Sequence, residues 1–209
     1  MFPVLIGLTL VVAAADWWAV ATERRNVEYV LKPLTMVMLI GAAIALADPA
    51  SDAARWWMVA GLVFSLAGDV FLMLDGHFVQ GLGSFLLGHI AYVVALWNLG
   101  VSAAPFALGL ALVVVLVGVV GLRIVRGARA QDDRLTVPVA LYIGAISVMV
   151  ASAVGTLVPA AIVGALLFYA SDACIGWSRF LKDFRGARLW IITTYHLGQV
   201  GLVLALVGG

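Results

Sequence analysis

Two aspartates, Asp69 and Asp172, each lie inside a long apolar stretch of the sequence. An ionised carboxylate is costly in apolar surroundings, so such a group is protonated, paired or functional. Two carboxylates that lie close together cannot both ionise cheaply, so one keeps its proton and can act as an acid. The other can stabilise a developing cation or orient a water molecule. The two aspartates therefore predict acid–base chemistry or a proton relay, and they leave the substrate open.

Other polar side chains occur in the same stretches at helical spacing. Ser65 precedes Asp69 by four residues and therefore shares its helix face, and Tyr92 follows His89 by three. We expect these groups to converge around the two carboxylates. The residues predicted to support catalysis or to bind substrate are Lys32, Ser65, His89, Tyr92, Ser171, Tyr195, His196 and Gln199.

The composition places these residues in a membrane protein. Of the 209 residues, 65% are hydrophobic and only 11% are charged, whereas about 25% are charged in an ordinary soluble domain. This charge cannot cover a soluble core, and a disordered chain would be poor in apolar residues. The single cysteine excludes a disulfide scaffold, and the net charge of +1 gives no basic surface for a nucleic acid.

Eight apolar runs are long enough to cross a bilayer, which takes about 20 helical residues. Their hydrophobicity is continuous and not alternating, which disfavours a β-barrel. We therefore expect an all-α bundle of eight transmembrane helices, forming a single integral-membrane domain over residues 1–209. The predicted spans are Pro3–Val20, Val30–Ala47, Trp56–Leu74, Val79–Leu99, Pro105–Leu122, Thr136–Ala153, Leu157–Ile175 and Leu189–Val207.

Lys and Arg concentrate after the first span, between the fifth and sixth, and between the seventh and eighth. The positive-inside rule then predicts a cell-membrane protein with these loops in the cytoplasm and both termini outside. On this topology the candidate residues lie in the cytoplasmic half of the bilayer. Trp17 and Trp18, near one span end, are expected to be interface anchors. Asp16 is expected to be interfacial or paired with a nearby cation.

A weak internal repeat relates the two ends of the chain. Asp69 and Asp172 are 103 residues apart, and His89 and His196 are 107 apart. Such similar offsets predict two four-helix halves in the same orientation, as in the parallel repeats of some transporters. The expected halves are residues 1–100 and 105–209.

Two sequence runs carry a resemblance to a known family. The run FSLAGDVFLML, which contains Asp69, and the run FVQGLGSFLLGHIAY, which contains His89, resemble the signature of the YhhN family of lysoplasmalogenases. The stretch KPLT at Lys32 is similar to the second-span motif of that family. The pair Ser171-Asp172 and the stretch YHLGQ are similar to its C-terminal motifs. The resemblance spans nearly the whole chain.

The resemblance implies hydrolysis of the alkenyl ether bond of a lysoplasmalogen, a lysophospholipid. The products are a fatty aldehyde and glycerophosphoethanolamine or glycerophosphocholine. A vinyl ether is cleaved by protonating its outer alkene carbon, and water then captures the oxocarbenium ion. This chemistry needs an acid, an anionic neighbour and water, so we expect neither a cofactor nor a metal. Asp69 and Asp172 are the expected catalytic pair, in either order, and Lys32 either meets the lipid phosphate or extends to the interface.

Two other classes of protein stay open on the sequence. A zinc-dependent membrane lipid hydrolase of the alkaline-ceramidase type would use three ligands, for which His89, His196 and a carboxylate qualify. A proton-coupled transporter of a small molecule or lipid would also suit repeats and buried carboxylates. The near absence of polar residues in the outer half of the bilayer argues against the two-sided access that a transporter needs.

Overall fold

The computed structural model describes residues 1–207, and this part of the chain is built from helices. Eight long helical segments follow one another, and within that range the only β pairing is an isolated bridge between Pro49 and Val207. The helices are α1 (Phe2–Ala21), α2 (Arg25–Ile44), α3 (Asp52–Met73), α4 (Phe78–Asn98), α5 (Ala103–Leu116), α6 (Leu122–Gln131), α7 (Thr136–Thr156), α8 (Pro159–Phe180) and α9 (Ala187–Leu204). The all-helical prediction is confirmed for this part of the chain.

The fifth segment is longer than the sequence predicted. Helix α5, a π turn at Val117–Gly121 and α6 form one continuous helix over Ala103–Gln131. The prediction ended this span at Leu122 and was wrong to place the arginines that follow in a loop. The helix continues because Ile124 and Ala128 are buried on one face of α6, while the arginines occupy its exposed side.

Seven of the eight segments are long and apolar enough to cross a membrane. Helix α9 is not among them, because Arg188, Tyr195, His196 and Gln199 reduce its hydropathy. The last three of these side chains are buried inside the bundle and do not face its exterior. The polar content of α9 therefore belongs to the interior of the protein.

Large apolar side chains cover the outside of the bundle. Leu108 and Val114 are each 70% exposed, and Val11 is 66% exposed. Exposed apolar surface of this extent suits contact with lipid chains, because helices satisfy their own backbone hydrogen bonds and can present apolar side chains all round.

The helices pack mainly with their chain neighbours. Helix α1 pairs with α2, α3 with α4, α5 with α7, and α8 with α9, while α4 also runs along α7 and connects the earlier pairs to the later ones. Helices α2 and α9 touch at only a few points. Asp69 and Asp172 come from α3 and α8, one from each group. The division into two repeat halves stays a prediction.

Small residues set the close approach of α4 to α3. A Cβ atom added to Gly88 would lie 3.2 Å from the carbonyl oxygen of Gly61. One turn away, the Ser84 hydroxyl donates a hydrogen bond to the carbonyl of Phe64 at 2.6 Å. This contact brings Gly88, and His89 next to it, level with Ser65 of α3.

Glycines set the contact between α8 and α9. A Cβ atom added to Gly198 would lie 2.8 Å from the backbone nitrogen of Phe168, and one added to Gly164 would lie 2.7 Å from the nitrogen of Leu202. Such distances are shorter than any van der Waals contact, so these two backbones can touch only because neither glycine carries a side chain. The contact fixes the position of Tyr195 and Gln199 relative to Asp172.

We expect Gly198→Ala to lower the free energy of unfolding by about 1–3 kcal/mol, because the added methyl meets backbone atoms that cannot move aside. Thermal unfolding in detergent micelles measures the effect. The matched control is Gly144→Ala on α7, where an added Cβ meets no atom within 4 Å. Equal melting temperatures for the two variants would contradict the close α8–α9 contact.

Candidate active site

Asp69 is buried at the meeting point of three helices. Its Oδ1 lies 3.0 Å from the Nζ of Lys32 on α2, and its Oδ2 accepts a 2.6 Å hydrogen bond from the hydroxyl of Tyr195 on α9. The side chain of Asp69 is 2% exposed and that of Lys32 is 14% exposed. Lys32 therefore does not simply extend to the interface, because its ammonium group is an ion-pair partner of Asp69.

Asp172 has a different set of partners. Its Oδ2 accepts a 2.5 Å hydrogen bond from the hydroxyl of Tyr142 on α7 and lies 3.5 Å from the Nε2 of His89 on α4. The side chain of Asp172 is 8% exposed and that of His89 is completely buried. Helices α4, α7 and α8 thus each contribute one side chain to this second cluster.

The orientation of the His89 ring fixes where its protons can be. Its Nδ1 lies 2.7 Å from the carbonyl oxygen of Phe85, and a carbonyl only accepts, so Nδ1 carries a hydrogen. Nε2 then faces Asp172 with either a lone pair or a second hydrogen. Nε2 forms no hydrogen bond in the described chain, and because two facing lone pairs would repel, this arrangement favours one proton on either His89 or Asp172.

A chain of hydroxyl and amide groups lies beside these clusters. The Tyr92 hydroxyl donates to the Oε1 of Gln199 at 2.7 Å, and the Oγ of Ser65 lies 3.1 Å from the same hydroxyl. Because that hydroxyl donates to Gln199, Ser65 is the donor in the second bond. The Nε2 of Gln199 is buried and has no hydrogen-bond partner among residues 1–207. This donor is free to bind a water molecule or a substrate oxygen.

Aromatic rings pack against the partners of both aspartates. The ring of Phe168 lies 4.9 Å from that of His89 and 5.3 Å from that of Tyr195, measured between centroids. Phe85 packs edge-on against Phe168 and Tyr195. Asp69 and Asp172 still lie within coulombic range of each other. The two carboxylates therefore form adjacent clusters, each with its own partners, and the direct contacts of each are to other groups.

An apolar cavity leads to the Asp172 cluster. It contains about 660 Å³ of space, open mouth included, and lies between α4, the π turn, α6, α7 and α8. Asp172, Tyr142 and Tyr169 supply its polar groups, and the rest of its lining is glycine, alanine and larger apolar side chains. Asp69 and Lys32 do not line this cavity. Of the two aspartates, Asp172 is the one placed to meet an aliphatic molecule there.

Two of the predicted residues have structural partners. The Oγ of Ser171 donates to the carbonyl of Ile191 at 3.0 Å and so joins α8 to α9. The Nδ1 of His196 accepts a 3.2 Å hydrogen bond from the indole of Trp17 on α1. His196 is therefore held by α1, and not by either aspartate.

The structure corrects two expectations for α1. Asp16 is completely buried, and neither of its oxygens has a hydrogen-bond partner in the described chain. The expectation of an interfacial or cation-paired Asp16 is wrong, because this face of α1 packs into the bundle and the nearby Lys32 forms its ion pair with Asp69. Trp17 is half-buried and binds His196, whereas Trp18 is 51% exposed, as an interface anchor would be.

The ligand set of the zinc alternative does not converge. His89 contacts Asp172 while His196 contacts Trp17, and in the described part of the chain no three His, Cys, Asp or Glu side chains lie close enough to hold a metal ion. The separation of the two histidines leaves that alternative without its three ligands.

Tyr142 is the functional candidate that sequence reasoning missed. It stands alone in its helix, with no charged or histidine residue at i±3 or i±4 to draw attention to it. Its contact with Asp172 crosses between α7 and α8, which sequence spacing cannot show. A usable signal was its place as the one tyrosine in a predicted span that has no charged residue.

A helical bundle with an apolar exterior, buried carboxylates and an apolar cavity defines an integral multi-pass membrane protein with a candidate acid–base site. The sequence profile of the YhhN family matches residues 27–206. The chain therefore belongs to the YhhN family.

Named relatives share much of this sequence. A Mycobacterium bovis protein named lysoplasmalogenase is 39% identical over 172 residues, which are 79% of this chain and 65% of the relative. The human protein named lysoplasmalogenase TMEM86B is 33% identical over 144 residues, 69% of this chain and 60% of its own length. An Escherichia coli O157:H7 protein named uncharacterized membrane protein YhhN is 29% identical over 209 residues, 94% of this chain and 97% of the relative. No solved structure matches the chain.

The coverage differs between these relatives. The match takes in less than two thirds of the mycobacterial and human proteins, but nearly the full length of the Escherichia coli protein. The family is thus established on most of the chain, and an activity for this protein is a matter for proposal.

In Lys32→Gln the buried Asp69 keeps only Tyr195 as a partner. We therefore expect the free energy of unfolding to fall by about 3 kcal/mol, which is the lower end of the range for breaking a buried ion pair. Thermal unfolding in detergent measures it. The control is Arg129→Gln, whose partner Asp133 is 82% exposed, so the loss there stays below about 1 kcal/mol. Similar losses in both variants would contradict a buried ion pair at Asp69.

Proposed function

We propose that this protein hydrolyses the vinyl ether bond of lysoplasmalogens. The observation that carries the proposal is the Asp172–His89–Tyr142 cluster at an apolar cavity, with a second, ion-paired carboxylate nearby. The names of the mycobacterial and human relatives support the same reaction. A lipid substrate also suits an opening lined almost wholly by apolar side chains.

The proton held by the Asp172–His89 pair is the proposed acid. It moves to the outer carbon of the alkenyl group, and the electrons of the double bond shift so that the inner carbon and ether oxygen share the positive charge. Tyr142 holds the Asp172 carboxyl by a hydrogen bond, so the acid is fixed before substrate arrives. A positioned general acid contributes roughly 10²–10⁴-fold to a rate.

The anionic Asp172 that remains then stabilises the oxocarbenium ion, as the carboxylates of glycosidases do. Asp69, held by Lys32 and Tyr195, adds to the negative field through a medium of low dielectric constant. Water attacks the inner carbon and returns a proton to the Asp172–His89 pair. The hemiacetal collapses to a fatty aldehyde and the free glycerol hydroxyl, so that one water is consumed and the acid is restored.

The membrane topology is part of the proposal. We infer eight spans, with α9 as the eighth, and both ends of the chain on the side opposite the basic loops. Arg185 in the α8–α9 loop, Arg188 in the first turn of α9 and the exposed arginines of α6 then face the cytoplasm in the cell membrane. Asp69 and Asp172 lie about 6 and 12 Å from the ends of α3 and α8 on that side, at 1.5 Å per helical residue.

We expect purified protein to release fatty aldehyde from a lysoplasmalogen. Asp172→Asn removes the acid and Asp69→Asn removes its supporting charge, so we expect each variant to reduce kcat by about 100-fold or more. Aldehyde assay in detergent measures turnover, and thermal unfolding confirms that each variant is folded. The matched control is Asp183→Asn in an exposed loop. Wild-type turnover in either folded variant would overturn the assigned roles.

We expect an isotope label to identify the step. In deuterium oxide the aldehyde should carry one deuterium on the carbon next to the carbonyl, because the proposed acid protonates that carbon before water adds. Mass spectrometry of the reduced alcohol measures the label.

Activity that disappears in strong chelator and returns with zinc would favour a metal hydrolase instead. Accumulation of unchanged lipid in proteoliposomes would favour a transporter.

A further inference from the structure

A polar recess lies at the mouth of the apolar cavity, between the α3–α4 turn and the last turn of α8. The recess and the cavity share Leu72 and Phe78 in their linings, so the two spaces are adjacent. The recess is also lined by Asp75 and Arg179, which are exposed and lie on the basic side of the bundle. It therefore has one anionic and one cationic side chain at the entrance to an apolar channel.

The Arg179 side chain is positioned by an aromatic contact. Its guanidinium carbon lies 5.0 Å from the centroid of the Phe78 ring, and Phe78 in turn packs edge-on against Phe180 at 5.8 Å. A guanidinium that stacks on a ring still presents its N–H groups at its edge, where they match a phosphate. The aromatic pair thus orients Arg179 at the rim of the cavity.

Both charges of the recess are available to a ligand. Arg129 and Arg188 each form an ion pair, with Asp133 and Glu28 respectively. In residues 1–207, neither Arg179 nor Asp75 has an oppositely charged side-chain group within 4.0 Å. A zwitterion with a phosphate and an ammonium group would complement the two side chains at once.

We propose that this recess binds the zwitterionic headgroup of the lysophospholipid, with Arg179 at its phosphate and Asp75 at its ammonium group. The proposal rests on the function proposed above and adds the headgroup site to it. It assigns to Arg179 the phosphate contact that the sequence had suggested for Lys32, whose ammonium group is occupied by Asp69.

The spacing between the recess and the acid fits this substrate. Arg179 lines the recess and Asp172 lines the adjacent cavity; they are seven residues apart on α8, which is about 10 Å along the helix axis. Seven covalent bonds separate the phosphorus from the outer alkenyl carbon. At roughly 1.2 Å of advance per bond, the reach of an extended chain, they span about 8 Å. A headgroup at Arg179 thus brings the vinyl ether to Asp172.

The orientation also matches a lipid in the inner leaflet. Its headgroup lies at the cytoplasmic surface and its chain points to the middle of the bilayer. Ile146, one turn beyond Tyr142 on α7, continues the cavity in that direction. A lysolipid can therefore move from the leaflet into the cavity without turning over.

The test uses Arg179→Gln, with Arg185→Gln as the matched control, because Arg185 is also exposed on this side but does not line the recess. We expect Arg179→Gln to raise KM for an alkenyl lysophosphoethanolamine about tenfold with kcat unchanged, the pattern for loss of uniform binding. KM for an alkenylglycerol without phosphate should not change. Arg179→Lys should recover part of the affinity. An unchanged KM in Arg179→Gln would overturn the proposal.

Asp75→Asn tests the ammonium contact separately. We expect it to raise KM severalfold for the lysophosphoethanolamine but not for the alkenyl lysolipid that ends in phosphate alone. An equal effect on both lipids, or on neither, would overturn the role of Asp75.

A binding measurement separates this proposal from the proposed reaction. A saturated alkyl-ether lysophosphoethanolamine cannot be hydrolysed by vinyl ether protonation, and calorimetry in detergent reports its affinity directly. Weaker binding in Arg179→Gln, with no displacement by inorganic phosphate, supports a lipid headgroup site even if the wild type releases no aldehyde. Equal binding by wild type and Arg179→Gln, or displacement by phosphate alone, would overturn it.

Discussion

The ion pair between Lys32 and Asp69 is the contact on which the arrangement of the interior depends. It joins α2 to α3 at a position where Asp69 has almost no access to solvent, and Tyr195 extends it to α9. Helices α2 and α9 have few other contacts with each other, and the Arg188–Glu28 ion pair is a second polar link between these two helices. The α2–α9 contact is thus held mainly by charge and hydrogen bonds. Removing Lys32 or Asp69 would leave the other charge buried without its partner and would weaken the α2–α9 contact.

This arrangement gives the two aspartates unequal surroundings. Asp69 is held in place by a cation and a tyrosine, and both partners favour its ionised form. Asp172 has a tyrosine and a histidine whose Nδ1 hydrogen is committed to a backbone carbonyl. A proton can therefore move on and off the Asp172–His89 pair with little rearrangement. The proposed assignment of Asp172 as proton donor and of Asp69 as a fixed charge rests on that asymmetry.

The sequence was a good guide to the elements and to the types of group in the site. Continuous apolar runs predicted the long helices closely, because length and hydropathy decide which segments can cross a bilayer. The exception, α6, continues as a helix through an arginine-rich stretch because Ile124 lies against Gly176 of α8. That contact depends on tertiary packing, which no local pattern reports.

The partners of each polar side chain were less predictable. Asp69 and Asp172 were found because an ionisable residue in an apolar run stands out, whereas Tyr142 did not stand out in its own helix. The contact of Trp17 with His196 joins residues 179 positions apart in the chain. Spacing within one helix gives the face of that helix, but the rotation of each helix against its neighbours decides which faces meet. The convergence of the two carboxylates was expected from residue type alone, whereas in the structure each carboxylate has its own partners.

Asp16 shows how such an interior can balance stability against function. A buried carboxylate without a hydrogen-bond partner in residues 1–207 destabilises the fold, and a hydrophobic residue of similar size would pack there at lower cost. Asp16 lies within coulombic range of Asp69, Glu28, Lys32 and Arg188, so when all five are ionised they carry three negative charges and two positive ones. In an apolar interior such an excess acts over a longer distance than it would in water. A reaction that builds positive charge on a bound lipid would gain from that field, and this gain would offset the cost of keeping an unpartnered carboxylate in the bundle.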